Sequence, residues 1–238
     1  HYIAAFQHYT RIVARQIGSV LEALYSTPAG KNTIVIVLAD HGDGMGSHRM
    51  VTKQVSFYEE MTNVPFIIAG PGIHPRQKPV EDLLTQPTID LLPTLCELAG
   101  IPVPSSKPGI SLAPFLKGEK QKRQHPYAAS EWHSEYEVTV SPGRMIRSPR
   151  YKYTHYLEGN GEELYDMLKD KGERRNLAHD PKYSKILAEH RALLDDYIRR
   201  TQDDYRSLKV EADKRWRSHA PGYPNHEGPC ARDIINRK

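Results

Sequence analysis

Cysteine is nearly absent from this chain. Cys96 and Cys230 are the two in 238 residues. They lie far apart, and neither sits in a CxxC or Cys/His spacing. That excludes a disulfide framework and a cysteine-based zinc site. Cys96 falls within an apolar helical pattern and is expected to be a packed core thiol. Long apolar runs are also missing, so no membrane span is expected, and no signal-peptide pattern appears. There is no internal repeat and no low-complexity tract. A strong charge of one sign is lacking too: 33 Lys and Arg stand against 29 Asp and Glu, a net of +4, and the pI is near 8.9. Mixed signs at 26% charged residues describe a soluble folded surface, not a disordered polyelectrolyte. The mild excess would steer an anionic ester or a nucleic acid. The 14 tyrosines are scattered, and no compact basic–aromatic motif marks a specific nucleic-acid site.

What is present is an alternation of helical and strand patterns. Ile3, Phe6, Ile12, Val13, Ile17, Val20, Leu21 and Leu24 recur at helical steps. Pro28, Gly30 and Asn32 end that helix. The apolar run Ile34 to Ala39 reads as a strand buried on both faces, and helix followed by such a strand suggests a mostly parallel sheet. A second short strand spans Val64 to Gly70, after a short helix near Val55 to Met61. Thr88 is read as the cap of the next helix and Gly100 as its stop. Pro93, well inside, predicts a kink or an early break. Beyond Lys117, segments around Tyr127–Glu131, Glu135–Val140, Arg144–Arg147 and Tyr151–Tyr156 read as strands. A helix follows from about Lys182 to Tyr205, with Ile186, Leu187, Leu193, Leu194 and Ile198 as its stripe. The tail from about Ser207 is basic and lacks apolar periodicity.

Chemistry concentrates where the first strand stops. Ligands of open α/β sheets bind beyond the carboxyl ends of strands, and Asp40 and His41 stand there. A carboxylate beside an imidazole is a plausible pair of ligands for a divalent cation. Gly42, Gly44 and Gly46 let the backbone turn tightly near an anion. His48, Arg49 and Lys53 follow. Lys53 would place a compact charge on a transferring group, and His48 would donate to an ester oxygen or a sugar hydroxyl. Each feature alone has a bland reading as a cap, a loop or a solvated lysine.

Taken together, Asp40-His41-Gly42, His48, Lys53, Tyr58-Glu59-Glu60 and Val64-Pro65 resemble the second signature region of type I sulfatases of the alkaline phosphatase superfamily. The opening helix, the segments TQPTIDLLPTLCELAGIPVP and GISLAPFLKGE, and MIRSPRYKYTHYLEGNGEELYDMLKDKGERRNLA, ending in a Leu-Tyr-Asp turn, extend the resemblance to about residue 205. Ala14 departs from it, since relatives commonly carry Asp there. The resemblance implies an α/β fold: part of an alkaline-phosphatase-like mixed sheet flanked by helices over 1–117, then a small C-terminal α+β subdomain over 118–206, with an antiparallel sheet and one packed helix, then the basic tail 207–238. It implies that Asp40 and His41 bind the active-site cation, Ca²⁺ with Mg²⁺ as an alternative, that Lys53 contacts the sulfate or bridging oxygen, and that His48 lines the substrate pocket. It implies a periplasmic, secreted or lysosomal-type compartment.

Relatives carry a formylglycine nucleophile made within Cys/Ser-x-Pro/Ala-x-Arg, preceded by two aspartates. Neither feature occurs here. The chain, which starts at His1 in the middle of a helical pattern, therefore reads as the C-terminal half, partnered by an N-terminal half of the same protein and inactive alone. The expected substrate is a sulfated carbohydrate. Trp132 would stack on a sugar, while His133 or Arg144 would read a second anionic group. Two other readings stay open: a phosphatase, phosphodiesterase or phosphonate monoester hydrolase of the same superfamily, since tetrahedral esters share one geometry, and a non-catalytic glycan- or nucleic-acid-binding module.

Overall fold

Helix α1 (Tyr2–Tyr25) opens the computed structural model, which describes residues 2–50, 56–81, 83–105, 108–121, 124–132, 142–157 and 161–207. The chain divides into two compact units, His1–Ala128 and Ala129–Lys238. The composition change at Lys117 anticipates a division somewhat earlier. The basic tail beyond Ser207 and the expected strand at Glu135–Val140 lie outside the described residues.

In the first unit, α1 ends as its sequence demands. Thr27 turns its hydroxyl back onto the carbonyl of Leu24 at 2.8 Å, and Pro28, which has no N–H to continue the ladder, starts a 3-10 turn through Asn32. No residue of α1 is buried. Ile3, Val13, Ile17 and Val20 of its apolar stripe all face solvent.

Strand β1 (Val35–Leu38) pairs antiparallel with β2 (Phe66–Ala69), with Val35 opposite Ala69 and Leu38 opposite Phe66. This corrects two expectations. The pair is not parallel: a parallel return needs a long crossover, usually a helix, and the described part of this connection holds only a three-residue 3-10 turn, Ser47–Arg49, and the four-residue helix α2 (Glu59–Thr62). Nor is β1 buried on both faces: its residues are half-covered, and Leu38 is exposed. Among the described residues, β2 alone lies beside it.

Helix α3 (Pro87–Ala99) is capped by Gln86, not by Thr88, and closes on Gly100 at φ 70°. It runs unbroken through Pro93. The proline deprives Ile89 of its intrahelical donor, and Gly109 packs into that notch, where a Cβ would overlap the Ile89 carbonyl and touch Pro93 at 3.3 Å. Asp90, fully buried, fixes this junction. It accepts from the N–H of Gln86 (2.7 Å) and of Ile110 (2.8 Å) and pairs with His125 Nε2 at 2.8 Å. Thr94 Oγ1 receives the N–H of Leu112 at 2.9 Å, which leads into α4 (Ala113–Leu116). Cys96 is buried and free, as its pattern predicts.

The second unit is a four-stranded sheet in the order β3 (Ala128–Trp132), β4 (Gly143–Arg147), β5 (Tyr151–Tyr156), β6 (Glu162–Asp166). β4, β5 and β6 are successively antiparallel. Register places Ile146, Tyr153 and Leu164 side by side on one face, and all three are essentially inaccessible. Leu164-Tyr165-Asp166, expected as a turn, instead completes β6; the buried Leu164 and Tyr165 favour the pleat, and the turn begins after them. Helix α5 (Ser184–Thr201) packs on β4 and β5. It buries Leu187, His190 and Leu194, spaced three and four apart. It stops at Thr201, short of Tyr205, because Gln202 turns left-handed at φ 55°. Among the described residues, no helix is long and apolar enough to cross a membrane.

Candidate active site at the end of the first strand

Asp40 and His41 follow β1 directly. The N–H of His41 donates to Asp40 Oδ1 at 3.0 Å. His41 Nδ1 lies 2.7 Å from the carbonyl of Gly42. A carbonyl only accepts, so Nδ1 carries the proton, and in the neutral ring Nε2 keeps its lone pair. That nitrogen sits 3.6 Å from Asp40 Oδ2, too far for a hydrogen bond. Two ligands on one cation, with bonds of about 2.3 Å at a right angle, are about 3.3 Å apart. The tautomer and the spacing therefore fit a shared cation. Such an orienting bond on the far ring nitrogen is a regular feature of metal-bound histidines. The Asp40 side chain is 85% exposed and that of His41 35% exposed, which leaves both open to a ligand. Among the described residues, no group of three or more ligating side chains gathers.

Glycine is required at the next position. The N–H of Gly42 donates to the Met61 carbonyl at 2.9 Å, and a Cβ there would overlap the carbonyl oxygen of Glu60, with its carbon at 2.8 Å. The turn is thus clamped to α2. Asp43 Oδ1 accepts from the N–H of Met45 (2.9 Å) and from the Tyr2 hydroxyl (3.1 Å), tying the loop to α1.

The loop then enters strained backbone. Met45, His48 and Arg49 are all left-handed, with φ of 50°, 50° and 63°. Non-glycine residues rarely adopt this region, and such strain clusters at functional sites. The conformation is held by Gly46 N–H on the Met50 carbonyl (2.7 Å) and Ser47 N–H on that of Gly44 (2.8 Å), with Met50 buried beneath. His48 stacks flat on Tyr58, ring centroids 3.6 Å apart. Its imidazole is thereby fixed in plane next to the Asp40–His41 turn in sequence.

Glu60, in the Tyr58-Glu59-Glu60 stretch and α2, carries an unpartnered atom. Its Oε2 is buried with no hydrogen-bond partner, as is Ser56 Oγ in the same stretch. An unsatisfied buried carboxylate oxygen is costly. No pattern in the sequence signals it.

The remaining expected site residues are distributed as follows. Lys53 and His133 lie outside the described residues. Trp132 ends β3 in the second unit, partly exposed, and its Nε1 is buried without an acceptor. Arg144 does not stand free to read an anion. Its side chain is only 4% exposed. Nε and Nη2 grip Asp203 at 2.6 and 2.9 Å, and Nη1 donates to the carbonyls of Trp132 and Gly143. The guanidinium carbon also lies 4.4 Å from the centre of the Tyr205 ring. The physical reason is register. Arg144 pairs with His155 on the face that carries Ile146, Tyr153 and Leu164, where an arginine must be fully paired to be buried.

Comparison with known proteins supplies the context for this site. The family model described as "N-sulphoglucosamine sulphohydrolase, C-terminal" matches residues 46–200. A "Delta 4,5-hexuronate-2-O-sulfatase" of Bacteroides thetaiotaomicron is 76% identical over 238 residues, all of this chain and 50% of the relative. Among solved structures, a "2-O GAG sulfatase" superposes with a TM-score of 0.88 at 76% identity, over 98% of this chain and 50% of that one. A further structure, in complex with its substrate D-glucosamine-2-N,6-O-disulfate, superposes with a TM-score of 0.72 at 25% identity, over 82% of this chain and 40% of that one. The chain thus spans half or less of the length of these relatives.

Proposed function

Since the chain belongs to the sulfatase family, we propose that it contributes the metal- and sulfate-binding residues of a sulfuric ester hydrolase whose substrate is a carbohydrate sulfated at O2 of a hexuronate. The family match and the 76% identity to a hexuronate 2-O-sulfatase support the substrate class. The observation that carries the site is local: His41 Nδ1 is tied to the Gly42 carbonyl, which aims Nε2 to within 3.6 Å of Asp40 Oδ2.

In this reading Asp40 and His41 hold a divalent cation, with Ca²⁺ the first choice because an exposed carboxylate oxygen suits a hard cation, and Mg²⁺ the alternative. When bound, the cation neutralises charge on the sulfuryl oxygens. Lys53 contacts the sulfate or the bridging oxygen, and His48, immobilised on Tyr58, lines the pocket beside the leaving sugar. Trp132 offers an aromatic face to the sugar ring, with His133 beside it in sequence. The nucleophile and the remaining metal ligands belong to an N-terminal half of the same protein. The bare apolar stripe of α1 and the exposed Leu38 and Ile67 suit burial against that half, since contiguous exposed apolar surface marks an interaction site.

The test is sulfate release from an unsaturated 2-O-sulfated hexuronate disaccharide by the complete protein, with calcium content measured alongside. Asp40→Asn and His41→Ala should each abolish turnover and strip the metal. Full turnover and stoichiometric calcium in either variant would overturn the assignment.

A further inference from the structure

One nitrogen joins β3, which ends at Trp132, to the start of β4. Nη1 of Arg144 donates to the Trp132 carbonyl at 2.9 Å and to the Gly143 carbonyl at 2.8 Å. The last residue of β3 and the first of β4 are therefore held on a single guanidinium. That guanidinium is itself fixed from behind. Asp203 takes it in a two-pronged pair at 2.6 and 2.9 Å, and the same carboxylate accepts the N–H of Tyr205 at 3.1 Å. The Tyr205 ring stacks on the guanidinium and is completely buried; its hydroxyl donates to the His155 carbonyl at 3.0 Å. A planar fork held this way cannot shift without breaking several charge-assisted bonds at once. β3 is pinned at a second point, where Tyr197 of α5 donates its hydroxyl to Glu131 Oε1 at 2.5 Å.

The Nη1 bond reaches a residue whose own side chain carries an unsatisfied polar atom. Trp132 stands on an outer strand of the described sheet, partly exposed, with an indole N–H that meets no acceptor. Nothing in α5 or in residues 203–205 resembles a substrate-binding motif, and yet Asp203 holds the guanidinium that binds the Trp132 carbonyl, and Tyr197 holds the neighbouring Glu131. We infer that Arg144, Asp203 and Tyr205 form a positioning clamp that sets Trp132 for carbohydrate recognition, so that selectivity for the sugar depends on side chains that do not touch it. The inference rests on the proposed reading of Trp132 as a sugar contact. It makes Arg144 a positioning residue, not an anion reader.

Steady-state kinetics of the complete sulfatase on its sulfated disaccharide, with inorganic sulfate as a sugar-free competing probe, separates the possibilities. Arg144→Lys keeps the charge but loses the fork and the double carbonyl contact. It should raise KM for the disaccharide about tenfold, the equivalent of one lost hydrogen-bonded contact, while kcat and the inhibition constant of sulfate stay unchanged. Asp203→Asn should move KM in the same direction by less. Should Arg144→Lys fail to fold, Asp203→Asn and Tyr205→Phe, each checked by its melting temperature, carry the test. Trp132→Ala should raise KM as well, and adding Arg144→Lys to it should have no further effect. If Trp132→Ala leaves KM unchanged, the sugar reading of Trp132 fails and the clamp inference goes with it. If Trp132→Ala raises KM and the folded clamp variants do not, the clamp alone is refuted. A parallel shift of KM, kcat and sulfate inhibition in the clamp variants would refute it equally, since that pattern marks general damage.

Discussion

Replacing Glu163 by Gln should flatten the pH dependence of stability in the C-terminal sheet unit. On the face opposite Ile146, Tyr153 and Leu164, register places Glu163 across from Thr154, one pleat along from Lys152. Lys152 pairs with Glu173 at 2.9 Å, both side chains about 1% exposed. Two carboxyls thus share one buried lysine. Burial first, and then repulsion from Glu173, push the Glu163 carboxyl up to about 7 from 4.5, with Lys152 pulling the other way. The sign follows from proton linkage. A group whose folded value lies above its unfolded one contributes stability that is complete below about 4.5 and is lost as pH rises through 7. The interval corresponds to about 3 kcal/mol at 1.36 kcal/mol per unit. His155 and His190 act oppositely, since burial lowers both, and their contribution is lost as pH falls through the ordinary histidine range. The difference between wild type and Glu163→Gln isolates the one group. Urea unfolding from pH 4.5 to 8.5 should show the wild type losing about 3 kcal/mol relative to the variant by pH 7, and no more above pH 8. A difference that is constant across this range, or that grows in the other direction, would refute the buried two-carboxyl arrangement.

Other substitutions probe the remaining parts of the structure. Gly42→Ala forces a methyl into the Glu60 carbonyl; it should cost about 3 kcal/mol or more of the first unit's stability by thermal unfolding and, on the proposed reading of Asp40 and His41, weaken cation binding by displacing His41. Leu194→Ala, at a site with no exposure, should cost about 2–5 kcal/mol in a urea titration. Asp90→Ala removes the acceptor of Gln86, Ile110 and His125. It should cost about 3–5 kcal/mol and speed amide exchange at Ile110 above all.

Periodicity by itself determined α1, α5 and the strand–turn–strand around Asp40, because their apolar spacing is set by local geometry and holds whatever packs on it. It also marked the Asp40–His41 pair, since two polar residues that close a strand are adjacent in sequence. The closure of α3 at Gly100 was legible for the same reason: a left-handed residue is a local demand. Tertiary structure decided the rest. Pro93 breaks no helix because Gly109, sixteen residues away, fills the notch it leaves. β1 and β2 run antiparallel because the chain between them doubles back, which no window of residues reports. Arg144 looked like a free cation in a strand and proved to be a buried clamp, because its partners Asp203 and Tyr205 lie some sixty residues downstream. Charge, spacing and propensity are properties of neighbours along the chain. Which side chain is left without a partner depends on neighbours in space, and only folding brings those together.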